Sequence, residues 1–126
     1  MTAIIQIDNL RYRPDSHPVE SPDILQGISL TVNPGDFIAI IGPNGSGKTT
    51  LVKHLNGLLL PTHGHVIIDG HDTLLPENRR IIRQLVGMVF QNPEEQIVAS
   101  TVEEDIAFGL ENLNISTSEI ICRVNE

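Results

Sequence analysis

The chain has 126 residues, of which 40% are apolar and 19% charged, a composition typical of a folded globular protein and not of a disordered chain. Sixteen acidic against eight basic residues give a net charge of −8, which argues against nucleic acid as a partner, since phosphate backbones bind basic surfaces. No apolar run approaches the roughly 20 residues that a membrane helix needs, and the single cysteine has no partner for an internal disulfide. We therefore expect a cytoplasmic protein.

Short apolar runs bounded by turn residues predict strands over residues 4–8, 28–32 and 37–41. The first two are joined by a loop at residues 14–22, which contains three prolines. Residues 33–36, Asn-Pro-Gly-Asp, predict a tight turn that would make a hairpin of the last two strands. Residues 37–41 do not alternate between apolar and polar, which is typical of a strand buried on both faces of a parallel sheet. An α/β fold follows.

Helical spacing of apolar residues and further short apolar runs predict the later elements. In chain order these are a helix over 48–58, a strand over 65–69, a helix over 77–85, a strand over 86–90 and a helix over 101–113. Thr101 is followed three residues later by Glu104, the pattern of a capping box at a helix N-terminus. Ser116 and Glu119 repeat that pattern and indicate one more helix that begins near Ser118.

A phosphate-binding loop is the strongest motif in the chain. Residues 42–49 match the pattern G-x-x-x-x-G-K-[ST] between a predicted buried strand and a predicted helix. Glycines let backbone N–H groups converge on phosphate oxygens, and the helix N-terminus adds its positive dipole. Lys48 can pair with the β- and γ-phosphates, and the Thr49 hydroxyl can ligate Mg²⁺. The candidate binding residues are Gly42, Pro43, Asn44, Gly45, Ser46, Gly47, Lys48, Thr49 and Thr50.

Three further segments carry a family resemblance. Ile28-Ser29-Leu30 precedes the Pro-Gly-Asp turn, residues 64–70 read Gly-His-Val-Ile-Ile-Asp-Gly, and Phe90-Gln91-Asn92-Pro93 is followed by the acidic stretch over 101–109. Together with the phosphate loop, they make the chain resemble the N-terminal half of an ATP-binding-cassette (ABC) transporter ATPase. The resemblance is to one branch in particular, the energy-coupling-factor importers of vitamins and of cobalt or nickel ions.

The resemblance implies a P-loop NTPase core sheet with an N-terminal antiparallel β subdomain. Residues 1–126 would be the N-terminal part of that domain, truncated before the helical subdomain, whose start corresponds to residues 118–126. Residues 42–49 would be the Walker A motif and residues 91–100 the Q-loop. ATP and Mg²⁺ would be the ligands, with Gln91 in the Mg²⁺ shell as a sensor of the γ-phosphate.

The resemblance also implies partners and a location. A transmembrane transporter subunit would contact the Q-loop region, and a second ATPase protomer, identical or different, would complete the nucleotide site. The protein would lie peripherally at the cytoplasmic face of the membrane. Eight acidic residues and one arginine lie from Glu94 onward, so an acidic segment over residues 94–105 falls in the expected docking region. The alternative is that Glu103 and Glu104 only favour the positive end of a helix.

Tyr12 is the candidate for the aromatic side chain that relatives stack on adenine. It is the aromatic residue nearest to Pro14 after the first predicted strand. The alternative is that Tyr12 packs within the antiparallel sheet.

Parts of the family's hydrolysis machinery do not occur in these 126 residues. The sequence contains no Leu-Ser-Gly-Gly-Gln signature, no apolar strand ending in an Asp-Glu pair and no later switch histidine. We therefore expect nucleotide binding without hydrolysis by this chain alone. The alternative to an importer subunit is a truncated, non-hydrolysing nucleotide-binding remnant or regulator.

Overall fold

The computed structural model describes residues 2–126, which form two units. The first ends at Met88, and the second spans Val89–Glu126. The strands, all in the first unit, are β1 (Ile5–Tyr12), β2 (Leu25–Val32), β3 (His63–Ile68) and β4 (His71–Asp72). The helices are α1 (Lys48–Leu55) and α2 (Arg79–Leu85) in the first unit, and α3 (Val102–Asn112) and α4 (Thr117–Val124) in the second.

The four strands form one antiparallel sheet in the order β2-β1-β3-β4. In the central strand β1, Ile5 faces Val32 on one side and Ile68 on the other. The antiparallel β subdomain that the family resemblance implied is thereby confirmed. Strand β1 is four residues longer at its C-terminal end than predicted. The extra length carries Tyr12 to the end of the sheet.

The core of the first unit lies where α1 and α2 pack on the sheet. Its buried members are Ile7, Leu10, Leu25, Leu51, Val66, Ile68 and Ile82. Leu51 belongs to α1 and Ile82 to α2, so both helices are held against the strands by apolar burial. The phosphate loop, which leads directly into α1, is therefore anchored to the sheet.

Helix α1 ends earlier than its apolar spacing predicts. Gly57 adopts a left-handed conformation with φ of 69°, and the Leu58 amide donates to the Lys53 carbonyl at 3.0 Å. This is the Schellman arrangement that terminates helices at a glycine. The predicted range of 48–58 was therefore too long by one turn.

Residues 37–41 and 86–90 are not strands, so those two predictions were wrong. The turn over residues 33–36 does form, with the Asp36 amide donating to the Asn33 carbonyl at 3.1 Å, but no second hairpin strand follows it. Within residues 2–126 neither segment pairs with a neighbouring strand. A β-strand forms backbone hydrogen bonds with a neighbouring strand, and apolar composition does not show whether such a neighbour is present. Phe37 and Ile41 are accordingly 94% and 92% exposed.

The second unit contains the two predicted helices. Thr101 precedes α3, and its hydroxyl oxygen accepts from the Glu104 amide at 3.2 Å, which confirms the predicted cap. Ser116 precedes α4, but among the described residues its hydroxyl accepts from no helix N–H and instead faces the Ser118 hydroxyl at 3.3 Å. Helix α4 was therefore predicted correctly, but the predicted cap by the Ser116 side chain was wrong.

Candidate functional site

The phosphate loop has the backbone conformation of an anion cradle. Gly45 and Gly47 both have positive φ, at 80° and 92°. The Ser46 amide donates to the Pro43 carbonyl at 3.3 Å and closes a turn within the loop. Successive residues that switch between the two hands of the backbone direct their N–H groups to one side, which is the geometry that binds phosphate in such loops.

Two of the glycines lie where an added side chain would force neighbouring atoms to shift. A Cβ atom on Gly42 would lie 2.9 Å from the Ser46 hydroxyl oxygen. A Cβ atom on Gly47 would lie 3.0 Å from a methyl group of Leu25 and 3.3 Å from the Ile24 carbonyl oxygen. The loop therefore wraps tightly on itself and against the start of β2, as the sequence pattern implied.

Lys48 brings a positive charge back over the loop. Its ammonium group donates to the carbonyl oxygens of Gly42 and Pro43, at 2.8 and 2.7 Å. A lysine ammonium has three N–H donors and no acceptor, so it is suited to meet an anion held by the same loop. The two bonds hold the ammonium group against the first two residues of the loop.

The N-terminus of α1 is open to an anion. Its N-cap, Gly47, offers no side chain to the first helical N–H groups, and the first turn contains no acidic residue. The first backbone bond of the helix runs from the Leu51 amide to the Gly47 carbonyl at 2.8 Å. The N–H groups before Leu51 are left for a ligand, with the helix dipole oriented to favour negative charge. The loop and the helix together fit a polyphosphate.

Tyr12 lies in the same unit and is linked to the loop through β2. It pairs with Leu25 across the sheet, and its carbonyl accepts from the Ile24 amide at 2.9 Å. Leu25 and Ile24 are the residues that Gly47 approaches most closely. Tyr12 is partly buried and packs against the core of the sheet, which is the alternative to an adenine contact that the sequence left open.

His54 is a buried polar residue of α1 that the sequence analysis missed. Its Nδ1 lies 2.7 Å from the Thr50 carbonyl oxygen, and its ring contacts Tyr12. Burial lowers the pKa of His54 below its ordinary value, and the carbonyls of Thr50 and Leu60 oppose that shift only in part. The available signal was its spacing, because His54 follows Leu51 by three residues and so shares its buried helical face.

Gln91 and the acidic segment belong to the second unit. Gln91 is exposed and lies just before a 3-10 turn at Pro93–Glu95. Asp105 accepts from the backbone amides of Val98 and Ala99, at 2.8 and 3.2 Å. Asp105 therefore fixes the chain that leads into α3.

Glu103 and Glu104, the neighbours of Asp105, are both exposed in the first turn of α3. Asp105 thus has a structural role, whereas Glu103 and Glu104 are exposed acids, as a docking surface needs.

Several residues near β3 and β4 have side chains of a type that can bind metal ions: His63, His65, Asp69, His71 and Asp72. In the part of the chain that the structure describes, one contact joins two of them. His65 Nδ1 lies 2.9 Å from an Asp72 carboxylate oxygen across the two strands. Among the described residues no three His, Cys, Asp or Glu side chains come together as a metal site.

None of the helices described in residues 2–126 has the length and apolar character needed to cross a bilayer.

Comparison with known proteins identifies relatives along nearly the whole chain. The model of the ABC transporter family matches residues 25–125. The energy-coupling factor transporter ATP-binding protein EcfA of Enterococcus faecium is 50% identical over 126 residues, which is 100% of this chain and 44% of that protein. The cobalt import ATP-binding protein CbiO of Syntrophus aciditrophicus is 50% identical over 96% of this chain and 42% of its own length.

A solved structure shows the same fold. The structure of cbiO1 from Clostridium perfringens, described as part of the ABC transporter complex cbiONQ, superposes with a TM-score of 0.79 at 30% identity. The match covers 99% of this chain and 49% of that one. The chain therefore spans about half the length of the proteins it matches, and the α/β fold class is confirmed.

Proposed function

Because the chain belongs to the ABC transporter family, we propose that it is the nucleotide-binding part of an importer ATPase and that it binds ATP with Mg²⁺. The observation that carries the proposal is the position of the Lys48 ammonium, 2.8 and 2.7 Å from the Gly42 and Pro43 carbonyl oxygens, on a loop in which Gly45 and Gly47 have positive φ. A polyphosphate would meet backbone donors, a helix dipole and a cation at one place.

The proposed ligand contacts follow from this arrangement. Residues 42–49 together with Thr50 hold the phosphates, and Lys48 transfers its donors from loop carbonyls to phosphate oxygens. Thr49 and Gln91 are the proposed protein contacts of Mg²⁺, which when bound neutralises phosphate charge. Tyr12 is the proposed adenine contact, supported by its partial exposure and its link to Gly47 through β2.

The proposed partners are a transmembrane transporter subunit and a second ATPase protomer, identical or different. The names of two relatives, an energy-coupling factor transporter protein and a cobalt import protein, support a role in transport. We propose import of a micronutrient, a vitamin or a transition-metal ion. We propose that the transmembrane subunit contacts the Q-loop region over residues 91–100 and holds the protein peripherally at the cytoplasmic face of the membrane.

A second candidate is nucleotide binding without hydrolysis, as a remnant or a regulator. It is favoured by the sequence, which over residues 1–126 contains neither the signature motif nor an Asp-Glu pair at the end of an apolar strand. Turnover by residues 1–126 alone is expected of neither candidate, so association with a transmembrane subunit separates them. Mg-ATP binding together with co-purification supports the importer ATPase, and Mg-ATP binding without co-purification supports the second candidate.

The binding test compares two lysines of the same helix by calorimetry. Lys48→Ala is expected to weaken Mg-ATP binding at least about tenfold, since it removes a charge-assisted contact worth about 1.5 kcal/mol or more. Lys53→Ala, in the last turn of α1, is the matched control and is expected to bind as wild type does. A folded wild-type chain that binds no Mg-ATP would overturn the proposal, as would unchanged binding by Lys48→Ala.

The docking proposal has its own test. A chain carrying Glu103→Lys and Glu104→Lys is expected to lose co-purification with an energy-coupling-factor transmembrane subunit. Glu111→Lys, an exposed site in the last turn of the same helix, is the control. Co-purification that survives the double charge reversal refutes docking through these acids.

A further inference from the structure

Two aromatic rings from different elements meet in the first unit. Tyr12 ends β1, and His54 lies in α1, the helix that begins with Lys48. Their ring centroids are 4.7 Å apart and their planes are inclined by 77°. This is the edge-to-face arrangement that aromatic pairs prefer. The contact therefore ties the ring of Tyr12 to the helix that carries the phosphate site.

His54 is itself held in one orientation. Its side chain is 0% exposed, and Nδ1 lies 2.7 Å from the Thr50 carbonyl oxygen. A carbonyl only accepts, so the Nδ1 hydrogen is the donor in the bond to Thr50. Burial, which lowers the pKa of His54, is consistent with a neutral ring. The ring that supports Tyr12 is therefore fixed in both position and tautomer.

We propose that His54 is a positioning residue for Tyr12, and that it raises the affinity of the chain for the adenine part of ATP without contacting the nucleotide. The inference rests on the proposed function, in which Tyr12 contacts adenine. A half-buried tyrosine at the end of a strand has rotational freedom that costs affinity when a base stacks on it. The edge-to-face contact removes that freedom before the ligand arrives.

The chain offers a direct probe of this ring. Tyr12 is its single tyrosine, and the sequence contains no tryptophan. Intrinsic fluorescence therefore reports on Tyr12 alone. Its anisotropy measures how freely the ring moves, and its quenching by a nucleotide measures contact with the base.

The experiment compares Mg-ATP with Mg-tripolyphosphate, which lacks the base, in the full 126-residue chain. His54→Ala is expected to weaken ATP binding about fivefold, the range of one aromatic pair, to leave tripolyphosphate binding unchanged and to lower the anisotropy of Tyr12. His54→Phe keeps an aromatic ring and is expected to retain the wild-type affinity for ATP and the wild-type fluorescence anisotropy of Tyr12. His65→Ala, an exposed histidine of β3, is the control and is expected to change neither. Should His54→Ala not fold, His54→Leu, which retains most of the volume without a ring, is expected to show the same losses.

The outcomes separate this inference from the proposed function. Tyr12→Ala is expected to weaken ATP binding about tenfold and not to affect tripolyphosphate. If Tyr12→Ala has that effect and the folded His54→Ala or His54→Leu chain keeps the wild-type ratio of the two affinities, the inference about His54 is overturned alone. If Tyr12→Ala leaves the ratio unchanged, the adenine role of Tyr12 and the inference fall together. If wild type binds neither ligand, the phosphate site itself is refuted and the inference with it.

Discussion

Gly64 passes so close to β1 that a Cβ atom on it would lie 2.3 Å from the carbonyl oxygen of Asp8. The close approach occurs where β1 is irregular, since Asn9 has φ of 44° and the pairing with β3 shifts between Asp8 and Arg11. Gly64 itself has φ of 80°. Position 64 therefore needs glycine for space as well as for conformation.

Gly64→Ala is expected to lower the free energy of unfolding by about 3 kcal/mol, because a left-handed backbone and a clash with main-chain atoms combine. Gly70→Ala is a matched control, since Gly70 has the same φ of 80° but a Cβ atom on it would meet no atom of the described residues within 4 Å. It is expected to cost about 1 kcal/mol, the conformational part alone. Urea denaturation measures both, and equal losses would contradict the steric explanation.

Arg13 holds the loop over residues 14–22 in shape. Its guanidinium donates to the Asp23 carboxylate at 2.8 Å and to the carbonyls of Val19 and Ser21 at 3.0 and 2.8 Å. Arg13→Ala is expected to cost about 2 kcal/mol of stability and to expose the loop to limited proteolysis. Arg11→Ala, which removes only a 3.8 Å contact with Asp23, is the control. Similar cleavage rates in the two variants would argue against the clamp.

His54 makes stability depend on pH in a defined direction. Burial lowers its folded-state pKa below the ordinary 6.5, so in mildly acidic solution the unfolded chain takes up a proton that the folded chain refuses. The contribution of neutral His54 to the free energy of unfolding is therefore fully present above pH 6.5 and is lost as the pH drops towards the folded-state pKa. His54→Phe is expected to lose less stability than wild type between about pH 7.5 and 5.5. Parallel pH profiles of the two chains in chemical denaturation would disprove the assignment.

Residues 37–41 carry exposed apolar side chains, and in the described chain their backbone has no strand partner. Such a segment favours association between chains. Phe37→Lys combined with Ile41→Lys is expected to slow aggregation, measured by light scattering, because both side chains are more than 90% exposed and lysine discourages strand pairing. Val19→Lys replaces an isolated apolar side chain, 85% exposed, in the loop and serves as the control. If it slows aggregation equally, net charge and not the segment is the cause.

Local features were predictable because their causes lie within a few residues. The turn within residues 42–49 was predictable from its glycine spacing, and the Thr101 cap from the acid three residues later. The structure shows positive φ at Gly45 and Gly47 and the bond from the Glu104 amide to the Thr101 hydroxyl. The end of α1 could also have been found, because Gly57 sits where the Schellman motif needs it. The strands predicted over residues 37–41 and 86–90 failed because pairing requires a neighbour that the apolar pattern does not reveal.

The amino-acid sequence by itself determined the glycine-rich turn within residues 42–49, the helix that follows it and the Thr101 cap, since residue type and spacing specify turns and helix ends. The antiparallel N-terminal sheet was expected only from the family resemblance. Only the tertiary structure decided which residues meet across the fold. It brought His54 against Tyr12 and Gly64 against Asp8, and it left Phe37 exposed. Such contacts join residues far apart in the chain, and their energies depend on distances that no local pattern encodes.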